Sequence, residues 1–332
     1  MNKDKKNLMK IINHFQGKKI TVWGDYILDE YLYGYTRRIS REAPVLILSY
    51  KNSKFTLGGA GNSLLNLKAL GAEPIPVGIL GTNQSGKQIL DIIKSHGISS
   101  KYLTTDSHYK SPSKTRILAG EEFTRKQQIL RIDKESKVPD TKKIKNTLLR
   151  FLKDLANKTC AVLISDYNYN SVKKDVYKEM LPYFKNKNIP VTLDSRSRIL
   201  DFKKTTVSTP NEKEAKKALG IDIYDDMQSP ETLGYNLLKK TESDSILLTR
   251  GSKGMILFSR KTKPCNINIY GTDEIVDITG AGDTVISTYT LAIAAGAEPQ
   301  EAAEIANFAA GIVVMKKGTA TVSRKELKEA IG

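Results

Sequence analysis

Two kinds of segment alternate along most of the chain. Short apolar runs such as KKITVWGD (18–25) and PIPVGIL (74–80) predict buried strands. Between and after them, NSLLNLKALGA (62–72) and GKQILDIIKSHG (86–97) place apolar residues at helical spacing and carry a glycine near their end. We therefore predict strands that alternate with helices.

The alternation continues in the second half of the chain. Further predicted strands are TCAVLISD (159–166), IPVTLDS (189–195), TTVSTPN (205–211) and SILLTRG (245–251), and a helix is predicted to begin near Glu212. Such a pattern is typical of a parallel sheet covered by helices, which binds ligands at the carboxyl ends of its strands. Asp25, Asp166, Asp194 and Asn211 each follow or end a predicted strand, so we expect them at that edge.

Two segments interrupt this pattern. Residues 33–57 and 113–133 have little helical period and are typical of short strands and hairpins. We expect them to pair as a small second sheet, which beside a large α/β domain can act as a lid that excludes water from a reacting centre. The predicted fold is a single three-layer α/β/α domain over residues 1–332, with a mainly parallel central sheet and this small β-sheet lid.

Composition narrows the class of protein. The 332 residues are 39% hydrophobic, which is enough for a sizeable core, and carry a net charge of +17. The basic residues are scattered and not interleaved with stacking aromatics, so we expect a surface that attracts small anions and no nucleic-acid partner. No apolar run is long enough to cross a membrane, and two cysteines cannot frame a disulfide scaffold. We expect a cytoplasmic protein without a membrane partner.

Four glycine-rich segments compete as phosphate-binding loops. GTNQSGKQ (81–88) nearly fits the P-loop pattern, but Gln88 stands where a hydroxyl should bind Mg²⁺, so an ordinary strand–turn–helix connection is the better prediction. GGAGN (58–62) stands at a predicted helix start and is weak evidence alone. TRGSKG (249–254) is more typical of a hairpin turn.

The fourth segment, DITGAGDTV (277–285), carries more chemistry. Gly280, Ala281 and Gly282 precede a long apolar helix, where unpaired N–H groups and the helix dipole favour an anion. Asp283 can be a first-turn carboxylate that complements the dipole, or a base that takes a proton from a hydroxyl attacking phosphorus. An anion site beside a base is what phosphoryl transfer to an alcohol requires.

These motifs together resemble a known family. GGAGN and DITGAGDT, about 220 residues apart, are similar to the paired motifs of the ribokinase-like (PfkB-type) sugar kinases, and TPNEKE (209–214) resembles that family's N-x-x-E element. GDYILDEYLYGYTRRISREAPV, LRID, LISDY and KKGTATVS resemble the kinase half of the bifunctional enzymes of ADP-heptose synthesis. That half phosphorylates D-glycero-D-manno-heptose 7-phosphate at its anomeric oxygen.

The same resemblance concerns only one half of those enzymes. Their other half, a nucleotidyltransferase, carries an H-x-G-H element, which His14, His96 and His108 do not form. We therefore expect a kinase domain without a nucleotidyltransferase domain. In related kinases the lid mediates dimers, so a homodimer through the lid is a further expectation from the resemblance.

The resemblance implies a role for each matching residue. It makes Asp283 the base and Gly280, Ala281 and Gly282 the anion hole. The residues implied at the sugar are Asp25, Asp29, Gly58, Gly59, Asn62 and Asp166. A substrate phosphate needs cations, and our candidates on the predicted lid are Lys114, Arg116 and Arg131.

The remaining implied roles concern ATP, Mg²⁺ and K⁺. The residues implied on the nucleotide side are Asp194, Arg196, Asn211, Glu214, Thr249, Gly251, Gly254 and Asn307, with Asn307 near the adenine. Glu214 would hold Mg²⁺ through water, and a monovalent cation, with K⁺ as the candidate, would lie at Asp277, Thr279 and Gly318.

Two departures from the heptose kinases bear on the sugar. After SDY those kinases usually continue with a lysine and a glycine, where this chain has NYNSV; after the next strand they usually have D-P-K, where this chain has DSRSR. Arg196 thus replaces a lysine, which keeps the charge but not the point geometry. The alternatives are a kinase for fructose 1-phosphate, tagatose 6-phosphate or a ribose-like sugar, or a non-catalytic sugar sensor on the same fold.

Overall fold

The strands and helices are those of a computed structural model that describes residues 3–121, 126–224, 227–271 and 276–332. The strands, in chain order, are β1 (Lys19–Gly24), β2 (Tyr26–Ile39), β3 (Leu46–Gly59), β4 (Glu73–Gly81), β5 (Leu103–Asp106), β6 (Ser113–Gly120), β7 (Gln127–Lys134), β8 (Ala161–Asp166), β9 (Val191–Ser195), β10 (Val207–Ser208), β11 (Ser245–Thr249), β12 (Met255–Ser259) and β13 (Cys265–Ile267).

The helices lie between and after these strands. They are α1 (Lys3–Asn13), α2 (Ala60–Ala69), α3 (Gln84–Ser95), α4 (Lys142–Leu155), α5 (Lys174–Asn186), α6 (Glu212–Leu219), α7 (Pro230–Thr241), α8 (Ala281–Ala294), α9 (Pro299–Val314) and α10 (Arg324–Ile331). None of the helices in the described segments combines the length and the apolarity needed to cross a bilayer.

A nine-stranded sheet forms the centre of the fold. Its order is β13-β12-β11-β10-β9-β8-β1-β4-β5. The strands from β11 to β5 run parallel, whereas β12 and β13 are antiparallel additions at one edge. The predicted mainly parallel α/β fold is confirmed.

Two apolar layers cover the two faces of this sheet. Because successive side chains of a strand point to opposite faces, Ile20 and Val22 of β1 pack in one cluster and Trp23 packs in the other. The first cluster contains residues of α1, α2, α3, α8, α9 and α10, and the second contains residues of α4, α5, α6 and α7. The uniformly apolar α8 is buried along most of its length between neighbouring elements, which fixes the position of its N-terminus.

The second sheet has the order β3-β2-β6-β7. β2 and β3 form an antiparallel hairpin, β6 pairs parallel with β2, and β7 closes the sheet. The hairpin is longer than the predicted segment 33–57, since β2 begins at Tyr26 and β3 ends at Gly59. In the predicted segment 113–133, residues 122–125 lie outside the described residues. The role of this sheet as a lid stays a prediction.

One predicted strand is much shorter in the structure. Of residues 205–211, only Val207–Ser208 form a strand, β10, although Asn211 still makes an isolated bridge with Thr249. Pro210 lies between them, and because proline has no N–H the ladder cannot continue through it.

The P-loop-like segment is a tight structural connection, as predicted. It joins the end of β4 to the start of α3, and a Cβ on Gly86 would lie 2.0 Å from the carbonyl oxygen of Gly81. Lys87 is exposed to solvent. The glycine is therefore required by close backbone approach.

This packing predicts opposite outcomes for two neighbouring substitutions. Gly86→Ala should lower the free energy of unfolding by about 1–3 kcal/mol, because the added methyl group forces the backbone apart. Lys87→Ala should change it by less than about 0.5 kcal/mol, as expected for an exposed side chain. Urea unfolding of both variants measures the difference; an equally stable Gly86→Ala protein would contradict the prediction.

Candidate active site

A cavity of about 390 Å³ lies between the small sheet, the carboxyl ends of the central strands and the start of α8. Most of the predicted site residues line it: Asp29, Gly58, Gly59, Lys114, Arg116, Arg131, Asp194, Arg196, Asn211, Glu214, Thr249, Thr279, Gly280, Gly282 and Asp283. A larger cavity of about 780 Å³ lies beside it, lined in part by Asp277 and Gly318. We take the smaller cavity as the candidate active site because Asp283 and the converging charges lie there.

Asp283 is buried at the N-terminus of α8 and is held by two donors. The amide nitrogen of Asn62 donates to its Oδ2 at 2.9 Å, and the hydroxyl of Tyr167 donates to its Oδ1 at 3.1 Å. Burial raises the pKa of the Asp283 carboxyl to about 6, against the lowering effect of these hydrogen bonds. A carboxylate with such a pKa is suited to general-base chemistry near neutral pH.

The glycines before Asp283 shape the helix end. Gly280 has a φ of 82°, and a Cβ there would lie 2.5 Å from Nδ2 of Asn62. Gly282 faces open space. The N–H of Ala281 donates to the carbonyl oxygen of Ile278 at 3.3 Å, and Ala281 is not on the cavity wall. The N–H groups that a first helical turn leaves unpaired are therefore available beside Gly282 and Asp283.

Three of the predicted sugar ligands do not line the cavity. One is Asn62, which is buried and donates to Asp283; the other two are Asp25 and Asp166. The carboxylate of Asp25 accepts hydrogen bonds from the backbone N–H groups of Tyr167, Tyr169 and Ser171 at 2.9–3.0 Å. Asp25 is fully buried and does not line the cavity, and burial together with the nearby Asp166 raises its pKa to about 6. We therefore assign Asp25 to holding the loop after β8, in place of sugar contact.

Asp166 is similarly occupied. It forms an ion pair with Arg198 through two guanidinium nitrogens and accepts a hydrogen bond from the hydroxyl of Ser195 at 2.7 Å. It does not line the cavity. The physical reason is the half-buried Arg198, three residues after β9, whose charge is balanced by the buried Asp166. Asp166 and Arg198 thus join the ends of β8 and β9.

The loop after β8 explains one departure from the heptose kinases. Asn168 and Asn170 have φ values of 66° and 71°, which are uncommon for residues with a side chain. Asparagine is one of the few residues that tolerates this region, so NYN can form a bend for which glycine is usual. The bend turns the three N–H groups toward Asp25.

Two residues predicted at the nucleotide, Asn211 and Glu214, form a helix cap. Asn211 is the N-cap of α6, its side chain accepts from the N–H of Glu214 at 2.9 Å, and Glu214 accepts from the N–H of Asn211 at 3.0 Å. The N-x-x-E element is therefore a capping box. Thr249 lies beside Asn211, whereas Gly251, Gly254 and Asn307 are not on the cavity wall. Asn307 donates to the carbonyl oxygen of Asn268 at 2.8 Å.

Asp194 and Glu214 lie close enough that a negative charge on Glu214 disfavours ionisation of Asp194. Burial and the charge of Glu214 raise the pKa of Asp194, and burial raises the pKa of Glu214. No cluster of three or more His, Cys, Asp or Glu residues with metal-binding geometry occurs among the described residues. Two carboxylates suit Mg²⁺ when it arrives with phosphates, since Mg²⁺ keeps several waters and takes one or two protein carboxylates.

The predicted monovalent-cation residues form a tight loop. Oδ1 of Asp277 accepts from the N–H of Thr279 at 2.9 Å, and Oδ2 accepts from the N–H of Gly318 at 3.0 Å. Burial opposes ionisation of Asp277, but these hydrogen bonds outweigh it and lower its pKa. The structure therefore brings these three residues together around an ionised carboxylate.

The cations on the lid differ in their partners. Arg116 pairs with Asp29 at 2.9 Å, and Arg131 pairs with Asp133 at 2.7 Å. Lys114 is 4% exposed, and its described surroundings include no acid within ion-pair distance. Burial and the charges of Arg196 and Arg131 lower its pKa. This unneutralised ammonium group on the cavity wall is suited to an anion.

Sequence reasoning missed two residues of this region. Tyr167 lines the cavity and donates to Asp283, and the signal for it in the sequence is its position directly after the strand-ending Asp166 in SDY. Arg198 was quoted only as part of DSRSR. Its pairing with Asp166 depends on how two loops meet, which no sequence pattern encodes.

Comparison with known proteins identifies relatives of this chain. Curated relatives include the bifunctional protein HldE of Desulfatibacillum aliphaticivorans, 37% identical over 96% of this chain and 64% of the relative, and that of Pelobacter propionicus, 35% identical over 99% and 66%. This chain thus spans about two thirds of the length of these relatives.

Solved structures share the fold. Arabidopsis thaliana ribokinase complexed with ribose and ATP matches with a TM-score of 0.69 at 20% identity, covering 95% of this chain and 99% of that one. Escherichia coli phosphofructokinase-2 in complex with potassium matches with a TM-score of 0.72 at 14% identity, covering 95% and 98%. The description of pfkB family carbohydrate kinases fits residues 18–326, and the chain belongs to that family.

Proposed function

We propose that this sugar kinase transfers the γ-phosphoryl group of ATP to D-glycero-D-manno-heptose 7-phosphate, at the anomeric O1, to give heptose 1,7-bisphosphate. The observation that carries the proposal is the buried Asp283 carboxylate, with a pKa near 6, beside free N–H groups in a cavity that also holds lid cations. Identity of 34–37% to several bifunctional HldE proteins supports the choice of sugar.

The proton transfer is assigned to Asp283. As O1 of the sugar attacks, a bond forms between that oxygen and the γ-phosphorus, and the bond from the phosphorus to the bridging oxygen of ADP breaks. The proton of the hydroxyl passes to the Asp283 carboxylate. The hydrogen bonds from Asn62 and Tyr167 hold the carboxylate in one orientation during this step.

We assign the N–H groups at the start of α8 to stabilising the negative charge on the oxygens of the transferred phosphoryl group. N–H groups at a helix N-terminus are fixed donors, and they need no reorganisation as charge develops. When bound, Mg²⁺ neutralises the charge of the transferring phosphates, and Asp194 and Glu214 are the residues that would hold it. The loop of Asp277, Thr279 and Gly318 would hold K⁺ near the anion hole.

We assign binding of the phosphate group of the sugar to cations of the lid. Lys114 is the strongest candidate, since Arg116 and Arg131 already pair with Asp29 and Asp133. Arg196 also lines the cavity, with its guanidinium carbon 4.9 Å from the centre of the Tyr167 ring. Cations without acid partners favour a phosphorylated sugar over ribose-like substrates.

We also propose that residues 1–332 work as one kinase domain in the cytoplasm. Its lid consists of the sheet predicted from residues 33–57 and 113–133. ATP is available in that compartment, and Cys160 and Cys265 are free thiols, as is usual there.

The choice of sugar is tested by ADP release against a panel of acceptors. We expect heptose 7-phosphate to give the highest kcat/KM, with fructose 1-phosphate, tagatose 6-phosphate and ribose at least about tenfold lower, which is 1.4 kcal/mol of transition-state discrimination. Phosphorus NMR of the product should show the new phosphate on the anomeric oxygen. Activity confined to another member of the panel would contradict the assignment.

The phosphate site is tested by removing one charge from the lid. Lys114→Met should raise KM for the sugar phosphate at least about tenfold, since an ion pair in a buried site is lost, while KM for ATP stays within about twofold. Lys134→Met removes an exposed lysine from the same sheet that lines neither cavity, and it is the matched control. Steady-state kinetics would contradict the site if both variants behaved alike.

The lid also exposes large apolar side chains that fit a second copy of this chain. They are Ile39, Leu46, Tyr50, Phe55, Ile129, Leu130 and Ile132. Monomeric proteins rarely expose several large apolar side chains on one sheet to solvent, and related kinases dimerise through their lids. We therefore propose a homodimer formed by this sheet.

The dimer is tested with a pair of matched substitutions. Tyr50→Lys should shift the protein from dimer to monomer, because it places a charge in an apolar interface. Tyr224→Lys changes an even more exposed tyrosine away from the lid and should leave the dimer intact. Analytical ultracentrifugation measures both; a wild-type monomer at micromolar concentration would rule the dimer out.

A further inference from the structure

Tyr167 links the base to the lid and to the sheet edge. Its hydroxyl donates to Oδ1 of Asp283 at 3.1 Å. Two cations lie over its ring, with Nζ of Lys114 from β6 at 5.4 Å and the guanidinium carbon of Arg196 at 4.9 Å from the ring centre. Such cation–ring contacts restrict a tyrosine to one orientation.

The backbone of Tyr167 is fixed separately. Its N–H donates to Oδ2 of Asp25 at 2.9 Å, and the N–H of Tyr169 donates to the same oxygen at 3.0 Å. Ser171 donates to Oδ1 of Asp25 at 3.0 Å. Three charge-assisted hydrogen bonds to one buried carboxylate hold the loop, and the loop in turn presents the Tyr167 hydroxyl to the base.

We propose that Tyr167 is a positioning residue for proton transfer, which fixes Oδ1 of Asp283 through its hydroxyl while Asp25 and the two flanking cations fix Tyr167. This inference rests on the proposed kinase chemistry at Asp283, but not on which sugar is phosphorylated. It gives Asp25 a function although its carboxylate does not face the cavity.

The hydrogen bond from Tyr167 also lowers the pKa of Asp283, against the effect of burial. The groups that face Asp283 are Asn62 of α2, Asp29 of β2, Asp194 of β9, Arg196 and Tyr167. Burial and Asp29 raise the pKa of Asp283, whereas Asn62, Tyr167 and Arg196 lower it. Burial and the Asp283 charge raise the pKa of Tyr167 itself, so the phenol remains a proton donor to Asp283 at neutral pH.

Tyr167→Phe tests the inference. A base with a pKa near 6 makes kcat/KM fall as pH drops through that value. Loss of a hydrogen bond to the charged form should move this acid limb upward by about one unit. It should lower kcat about fivefold at pH 6, because the ionised fraction of the base falls from about one half to about one tenth, with KM for the sugar phosphate within about twofold. Any sugar that the enzyme phosphorylates can be used.

A matched variant separates positioning from loop structure. Tyr169→Phe removes a hydroxyl from the same loop, but that hydroxyl donates to Glu135 and does not contact Asp283. We expect its acid limb to match the wild type. Replacing Tyr167 with 3,5-difluorotyrosine keeps the shape and strengthens the donor, so the limb should move downward.

A measurement without substrate completes the test. In protein labelled with ¹³C at the aspartate carboxyl carbons, the signal that is absent in Asp283→Asn reports the pKa of Asp283. It should titrate about one unit higher in Tyr167→Phe than in the wild type. An unchanged Asp283 pKa in both Tyr167 variants, or an equal shift in Tyr169→Phe, would overturn the inference even if no sugar of the panel were phosphorylated.

Discussion

The site depends on one buried carboxylate at the start of a helix. Asp283 is 4% exposed, and an ionised carboxylate in such a place requires donors that do not relax. These come from segments 221 and 116 residues away along the chain, as Asn62 of α2 and Tyr167 after β8. The positions of α8, α2 and the loop after β8 therefore depend on one another. Position 280 has no room for a side chain because Asn62 occupies that space.

Two further acids, Asp25 and Asp166, hold the loops around the Asp283 carboxylate in place. Asp25 and Asp166 lie at the carboxyl edge of the sheet, where strand ends leave backbone N–H groups and loops without regular partners. Asp25 satisfies three N–H groups, and Asp166 pairs with Arg198. Neither carboxylate reaches the cavity, yet both fix the loops that line it. The carboxyl edge of the sheet, beside the candidate site, therefore includes acids that contact loops of this chain and do not line the cavity.

The sequence predicted the parts of this structure that follow from local pattern. Alternating strand and helix periods predicted the parallel sheet, and GAGD before an apolar helix predicted a helix start with a carboxylate in its first turn, which the structure has. The direction of a side chain at a strand end is not encoded locally, because it depends on which loop lies opposite. For this reason Asp25 and Asp166 were expected at the sugar, and Tyr167 was missed. Asn211 and Glu214 were recognised as a motif, but their capping of α6 emerged only with the helix boundary.

The proposed role of Asp283 is in the chemical step and not in binding. The most direct measurement compares Asp283→Asn with the wild type in two assays, calorimetric binding of ATP and sugar phosphate and single-turnover phosphoryl transfer by rapid quench. We predict dissociation constants within about threefold of the wild type and transfer at least about 10²-fold slower, the scale of a general base. Transfer near the wild-type rate, or slow transfer explained entirely by lost binding, would contradict the account.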